Sequence, residues 1–236
     1  FLRPATRSYK YPGRGVIRDT VPRKQDMSEC VAFGVRPGSV RLPPMATETT
    51  ETTTSRLIER WPTALGLILA AGLVPVILGL DVDEAASDFG PGAAAMMAIY
   101  LAAYAIGKPV SAWLAFAGVI AFSALLSVLD IEGAVGITVV LGLLWLLVLE
   151  RGRAQDGHWF TVETLGLVFF GGLTIAAFVA DARLACVLAG VGWLTHGLWD
   201  AYHFAQDRVV SRTWSEMCAV VDIPVGAALI VVSITQ

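Results

Sequence analysis

From Trp61 onward the chain alternates long apolar stretches with short polar breaks, and it keeps doing so to the C-terminal residues. A helix needs about 20 mostly apolar residues to cross a bilayer core of roughly 30 Å. The stretches at approximately 61–80, 90–107, 109–129, 133–149, 161–180, 183–205 and 216–235 therefore predict seven spans. Lys108-Pro109 marks a natural break, because proline removes a donor and disfavours helix in the residue before it. Strands of a barrel would show alternation over about ten residues, and no such pattern occurs. The predicted fold is an all-α, polytopic transmembrane helical bundle, one domain over residues 56–236. The acidic stretch Asp81 to Asp88 reads as a solvated loop, with weak cation binding as the lesser alternative.

Basic residues in alternate breaks set the expected orientation. One set holds Arg56, Arg60, Lys108, Arg151, Arg153, Arg208 and Arg212, and the other holds Arg183 alone. This bias predicts a cytoplasmic N-terminus, an external C-terminus and residence in a cell membrane, plasma or inner. Composition agrees: 56% of residues are hydrophobic, 16% are charged, and mean hydropathy is +0.66.

Residues 1–44 are a different kind of chain, with nine Lys/Arg against three Asp/Glu; the remainder has eight against seventeen. The region 1–55 is expected to be a disordered basic and polar leader. Met45 opens a segment resembling an ordinary polar N-terminus. Three readings of residues 1–44 stand at this stage: an over-extended start, a processed targeting segment, or a basic tail suited to an anionic membrane surface. Nucleic acid is not expected as a partner, since interleaved aromatics are missing. The expected partners are the bilayer itself and a lipid or small-molecule substrate, with oligomeric state left open. Cys186 and Cys218 are predicted at opposite ends of their spans, beyond disulfide reach. Both read as small packers, with a ligand role for Cys218 as the minor alternative; Cys30 falls in the leader.

The chemistry concentrates between Trp193 and His203. At about 100° per residue, Asp200 lies roughly 40° to one side of His196 and His203 roughly 20° to the other, so all three share one helix face. Ionisable groups in hydrocarbon cost on the order of 2.5 to 3.5 kcal/mol each on insertion scales, so they are expected to meet a partner helix or a wet cavity. Depth suggests the partners. Taking about 1.5 Å per residue, His196 falls near mid-membrane and Asp222 about 5 Å to the cytoplasmic side, level with the His196–Asp200 interval. Glu163 matches the depth of His203, while Glu216 and His158 fall at the rim. Pro224 is expected to loosen the backbone beside Asp222.

Three chemistries fit this set. A divalent metal such as zinc could be held by His196, Asp200 and His203, with Asp200, Asp222 and Glu163 as catalytic carboxylates of a metal-dependent or acid/base membrane enzyme. A proton-coupled carrier could use the same residues as a relay. Finally, the polar groups could do no more than fix helix packing. Haem fits poorly, because His196 and His203 share one helix. Seven spans, a cytoplasmic N-terminus and His/Asp ligands resemble in topology the membrane hydrolases that include alkaline ceramidases and the progestin and adiponectin receptor group. Those proteins carry an HxxxH pair in the last span, where this chain has Asp222, so no residue role is carried across. A retinal protein is not expected, since the last span holds no lysine. Tyr100, Tyr104 and Lys108, at i, i+4 and i+8, read first as an interfacial edge and second as a substrate contact. Tryptophans mostly fit an interfacial belt; Trp193, at mid-depth, is the exception.

Overall fold

The computed structural model describes residues 60–236. The expectations for the leader, Cys30, Met45 and Arg56 lie outside the described residues. Among those described, the chain is helical without strands: α1 (Trp61–Gly79), α2 (Val82–Phe89), α3 (Gly92–Ile106), α4 (Ser111–Val128), α5 (Gly133–Glu150), α6 (His158–Val179), α7 (Ala182–Gln206) and α8 (Arg212–Thr235), with a 3₁₀ turn at Arg153–Asp156. Short connections make successive crossings antiparallel. They collect Lys108, Arg151, Arg153, Arg208 and Arg212 at one end of the bundle and Asp81, Asp130 and Asp181 at the other.

Six segments are long and apolar enough to cross a membrane, α2 and α3 counting together as Val82–Ile106. At 25 residues α7 is long enough but does not reach that apolarity, because it carries His196, Asp200 and His203. Its polar face is covered by neighbours, above all α8, to which it is joined by a short loop. The exterior is apolar instead: Leu67, Ile68, Leu114, Val139, Leu143, Leu165 and Val168 are all more than half exposed. Such a surface suits lipid, which is as apolar as leucine.

The acidic segment read as a loop is helical. Asp81 accepts from the Glu84 amide (2.8 Å) and the Glu84 side chain reaches back to the Asp81 amide, a capping box that starts α2 two residues after α1 ends. The second crossing is therefore longer than the 90–107 span expected. It is interrupted at Gly90-Pro91, where proline cannot supply an amide hydrogen. Backbone carbonyls freed inside a membrane need internal donors. Trp193 Nε1–H donates to the Phe89 carbonyl (3.1 Å) and the Thr174 hydroxyl to the Gly90 carbonyl (3.4 Å). This accounts for a tryptophan at mid-depth: it ties α7 to the break. Gly92 leaves room for the indole, since a Cβ there would lie 2.6 Å from it.

Beyond the break, α3 is the central helix. Ala93, Ala94, Ala98, Ala103 and Ala105 are buried, and their small side chains let α5, α6 and α7 approach closely. The same device joins α7 to α8: a Cβ on Gly226 would sit 2.7 Å from the Leu194 amide nitrogen and 2.8 Å from the Gly190 carbonyl oxygen. Backbone faces backbone there, and no side chain can move aside. Gly226→Leu is therefore expected to destabilise the folded bundle by about 1–3 kcal/mol or more. Gly118→Leu, whose Cβ would meet open space, should leave thermal unfolding in detergent close to wild type. Equal melting of the two variants would contradict the close α7–α8 contact.

Candidate functional site

The close approach of α7 and α8 brings His196 against Asp222. Nδ1 of His196 lies 3.0 Å from Asp222 Oδ2 and 3.4 Å from Asp200 Oδ2, one helical turn along α7. The second distance is that of an ion pair without hydrogen-bond geometry, and Asp200 Oδ2 has no hydrogen-bond partner. On the other side, the Tyr100 hydroxyl of α3 donates to Asp200 Oδ1 at 2.5 Å. The ligand atoms of His196, Asp200 and Asp222 all lie within 4.8 Å of one another.

A second pair sits toward the arginine-rich end. Glu163 of α6 meets His203 of α7, Oε1 to Nε2, at 3.0 Å. The other ring nitrogen of His203, Nδ1, is 3.0 Å from the Trp199 carbonyl. A carbonyl can only accept, so Nδ1 carries a hydrogen and the Glu163 contact must itself contain one proton, on Oε1 or on Nε2. Tyr100 stands between the two groups, with its ring edge-on to His203 (4.7 Å between centroids) and to His196 (5.5 Å). Phe170 closes over His196 and Trp199 over His203.

All five ionisable side chains are at most 2% exposed. Three carboxylates and two neutral imidazoles would carry a formal charge of about −3 in an apolar bundle, which the low dielectric penalises heavily. The pair contributes one proton by the argument above. The trio, at −2 with His196 neutral, needs two further positive equivalents. Three ligand-type atoms, His196 Nε2, Asp200 Oδ2 and Glu163 Oε2, are buried with no hydrogen-bond partner.

The structure thus groups His196 and Asp200 with Asp222, and it separates His203 from them by engaging both of its nitrogens. Glu163 lies with His203, at the depth expected. Rim residues form their own contacts: His158 Nε2 is 3.2 Å from the Tyr202 hydroxyl, and Glu216 bonds Thr63 and lies 3.6 Å from Arg60. Cys186 and Cys218 are free and buried. The polar edge Tyr100–Tyr104–Lys108 does not form an interfacial stripe. Both tyrosines are buried because α3 is central, and Tyr104 donates to the Arg153 carbonyl (3.0 Å) and to Asp156 (3.2 Å). The signal for Tyr100 was depth. Two turns inside Lys108, it lies about 12 Å along the helix, too far in for an interfacial anchor. No protein-family model, curated protein or solved structure matches the chain.

Tyr100→Phe removes the donor to a buried carboxylate oxygen and is expected to lower stability by about 1–3 kcal/mol. A double-mutant cycle with Asp200→Asn, read by thermal unfolding, should return a coupling of about 0.5–3 kcal/mol. Additive losses would contradict the Tyr100–Asp200 bond.

Proposed function

We propose that this chain is a multi-pass membrane carrier whose buried trio, His196, Asp200 and Asp222, takes up a divalent first-row metal ion in place of protons. The observation that carries the reading is the trio itself: one imidazole nitrogen 3.0 and 3.4 Å from oxygens of two carboxylates, fully buried, with a formal charge of −2. Ligands held 2.0–2.1 Å from a tetrahedral ion stand roughly 3.3 Å apart, close to those separations. Imidazole with two carboxylates suits zinc, manganese or ferrous iron. One divalent ion and two protons neutralise the trio equally well, so uptake of one releases the other.

Burial favours carriage over the hydrolytic alternative. An organic substrate would have to reach side chains that are at most 2% exposed, whereas an ion needs only a transient opening. The basic residues collected at one end support placing that end in the cytoplasm of a cell membrane.

Calorimetry of the purified protein with Zn²⁺ tests the trio. Stoichiometric binding is expected, with affinity falling as pH is lowered because protons compete for the same atoms. His196→Ala and Asp222→Asn should weaken binding by more than about 10- to 100-fold, the loss typical of even an outer-shell partner. His203→Ala should keep the ion. Wild-type protein that binds no Zn²⁺, Mn²⁺ or Fe²⁺ would refute the reading. Binding without any Zn²⁺ entry into proteoliposomes would refute carriage.

A further inference from the structure

The buried face of α6 runs from one end of the bundle past the cation trio. Along it stand Ala177, Thr174, Phe170, Gly166 and Glu163, each about one turn from the next. Ala177 and Thr174 line a cavity of about 540 Å³ at the acid-rich end, enclosed by α2, α4, α5 and α6. Exposed Asp83, Asp88 and Glu132 form its rim, and buried Thr174 and Gly90 stand at its floor. Among the described residues no lysine or arginine lines it. One turn deeper, Phe170 is 1% exposed, and its ring lies 4.9 Å from that of His196, centroid to centroid. His196 contacts Asp222 at 3.0 Å and keeps Nε2 without a hydrogen-bond partner. Phe170 is thus the one large apolar side chain on this face between a polar, negatively charged cavity and the trio. From the arginine-rich end the trio is covered more deeply, by Tyr100, Trp199 and the hydrogen-bonded Glu163–His203 pair.

We propose that a divalent cation reaches the trio from the acid-rich cavity, and that Phe170 is the barrier it must pass. The inference rests on the cation reading and gives it a side of entry. Carboxylates at the rim raise the local concentration of cations and speed their arrival, as a cleft lined by one sign of charge does. The basic side chains collected at the opposite end act against an approach from there. Rotation of the Phe170 ring about its Cα–Cβ bond opens the last turn, and the ion then meets His196. Phe170 carries no ligand atom, so it does not distinguish the bound ion from the free one. A barrier of that kind changes arrival and departure by the same factor and leaves the affinity as it was.

Stopped-flow mixing of the purified full-length protein with Zn²⁺ and a zinc-sensitive dye reads both rates, and calorimetry reads the affinity. Phe170→Ala is expected to raise association and dissociation alike by at least about tenfold, with Kd within about threefold of wild type. Phe170→Leu leaves a smaller void; it should do the same to a lesser degree, and it carries the test if the alanine variant does not fold. Asp83→Asn combined with Glu132→Gln should slow association by about threefold or more at low salt and leave dissociation unchanged. Zn²⁺ binding at wild-type rates in both Phe170 variants overturns the barrier. So does a loss of affinity in both without faster association, because the ring would then only shape the site. An association rate indifferent to the rim substitutions overturns the route. Wild-type protein that binds no Zn²⁺ removes the cation reading and this inference with it, an outcome distinct from binding at unaltered rates.

Discussion

Electroneutrality in a low-dielectric interior is the constraint on which this bundle turns. Three carboxylates placed inside an apolar bundle cannot remain a net −3, and among the described residues no buried lysine or arginine stands beside them to offset it. The compensation is therefore assembled from imidazoles, a phenol hydroxyl and bound protons. Asp200 shows the arrangement best. One of its oxygens takes the Tyr100 hydroxyl, and the other faces His196, which is shared with Asp222. Each acid is matched to a donor from a different helix, so the electrostatics can be satisfied only when α3, α6, α7 and α8 are all in place.

Backbone packing supplies that register. Gly226 against Leu194 and Gly190 draws α7 and α8 together until an imidazole on one reaches a carboxylate on the other. At the far side, Trp193 and Thr174 secure the break in the second crossing and so fix where α3 presents Tyr100. Small residues and buried polar contacts thus divide the work: the first set the spacing, the second set the rotation. Neither would suffice alone, since lipid offers no hydrophobic drive for helices to associate.

Much of this was legible in the chain. Apart from the α2 half of the second crossing, the apolar stretches located the long helices of the described residues, and counting 1.5 Å per residue placed Asp222 opposite His196 and Glu163 opposite His203, because antiparallel neighbours joined by short loops share depth. Three features were not legible. Asp81 and Glu84 read as loop acids because three like charges close together suggest solvent, whereas their spacing is that of a capping box. Tyr100 read as an anchor because helix rotation about its own axis is set by tertiary packing, which a single sequence does not reveal. His203 read as a ligand because sharing a helix face with His196 says nothing of which neighbour occupies its nitrogens; the contact with Glu163 and the carbonyl of its own helix decide that.

The shortage of apolar residues in α7 also bears on how it can stand in lipid. A segment carrying two histidines and an aspartate through its C-terminal half is a poor candidate to partition into lipid unaided, since one aspartate at mid-membrane adds roughly 2.5–3.5 kcal/mol to insertion. Its polar groups are matched only by α8, α6 and α3. To be stable in an apolar layer the helix needs α8 alongside it, and the five-residue connection makes the two a hairpin. The demands of the surrounding lipid, as much as the chemistry of the buried groups, tie α7 and α8 into one unit.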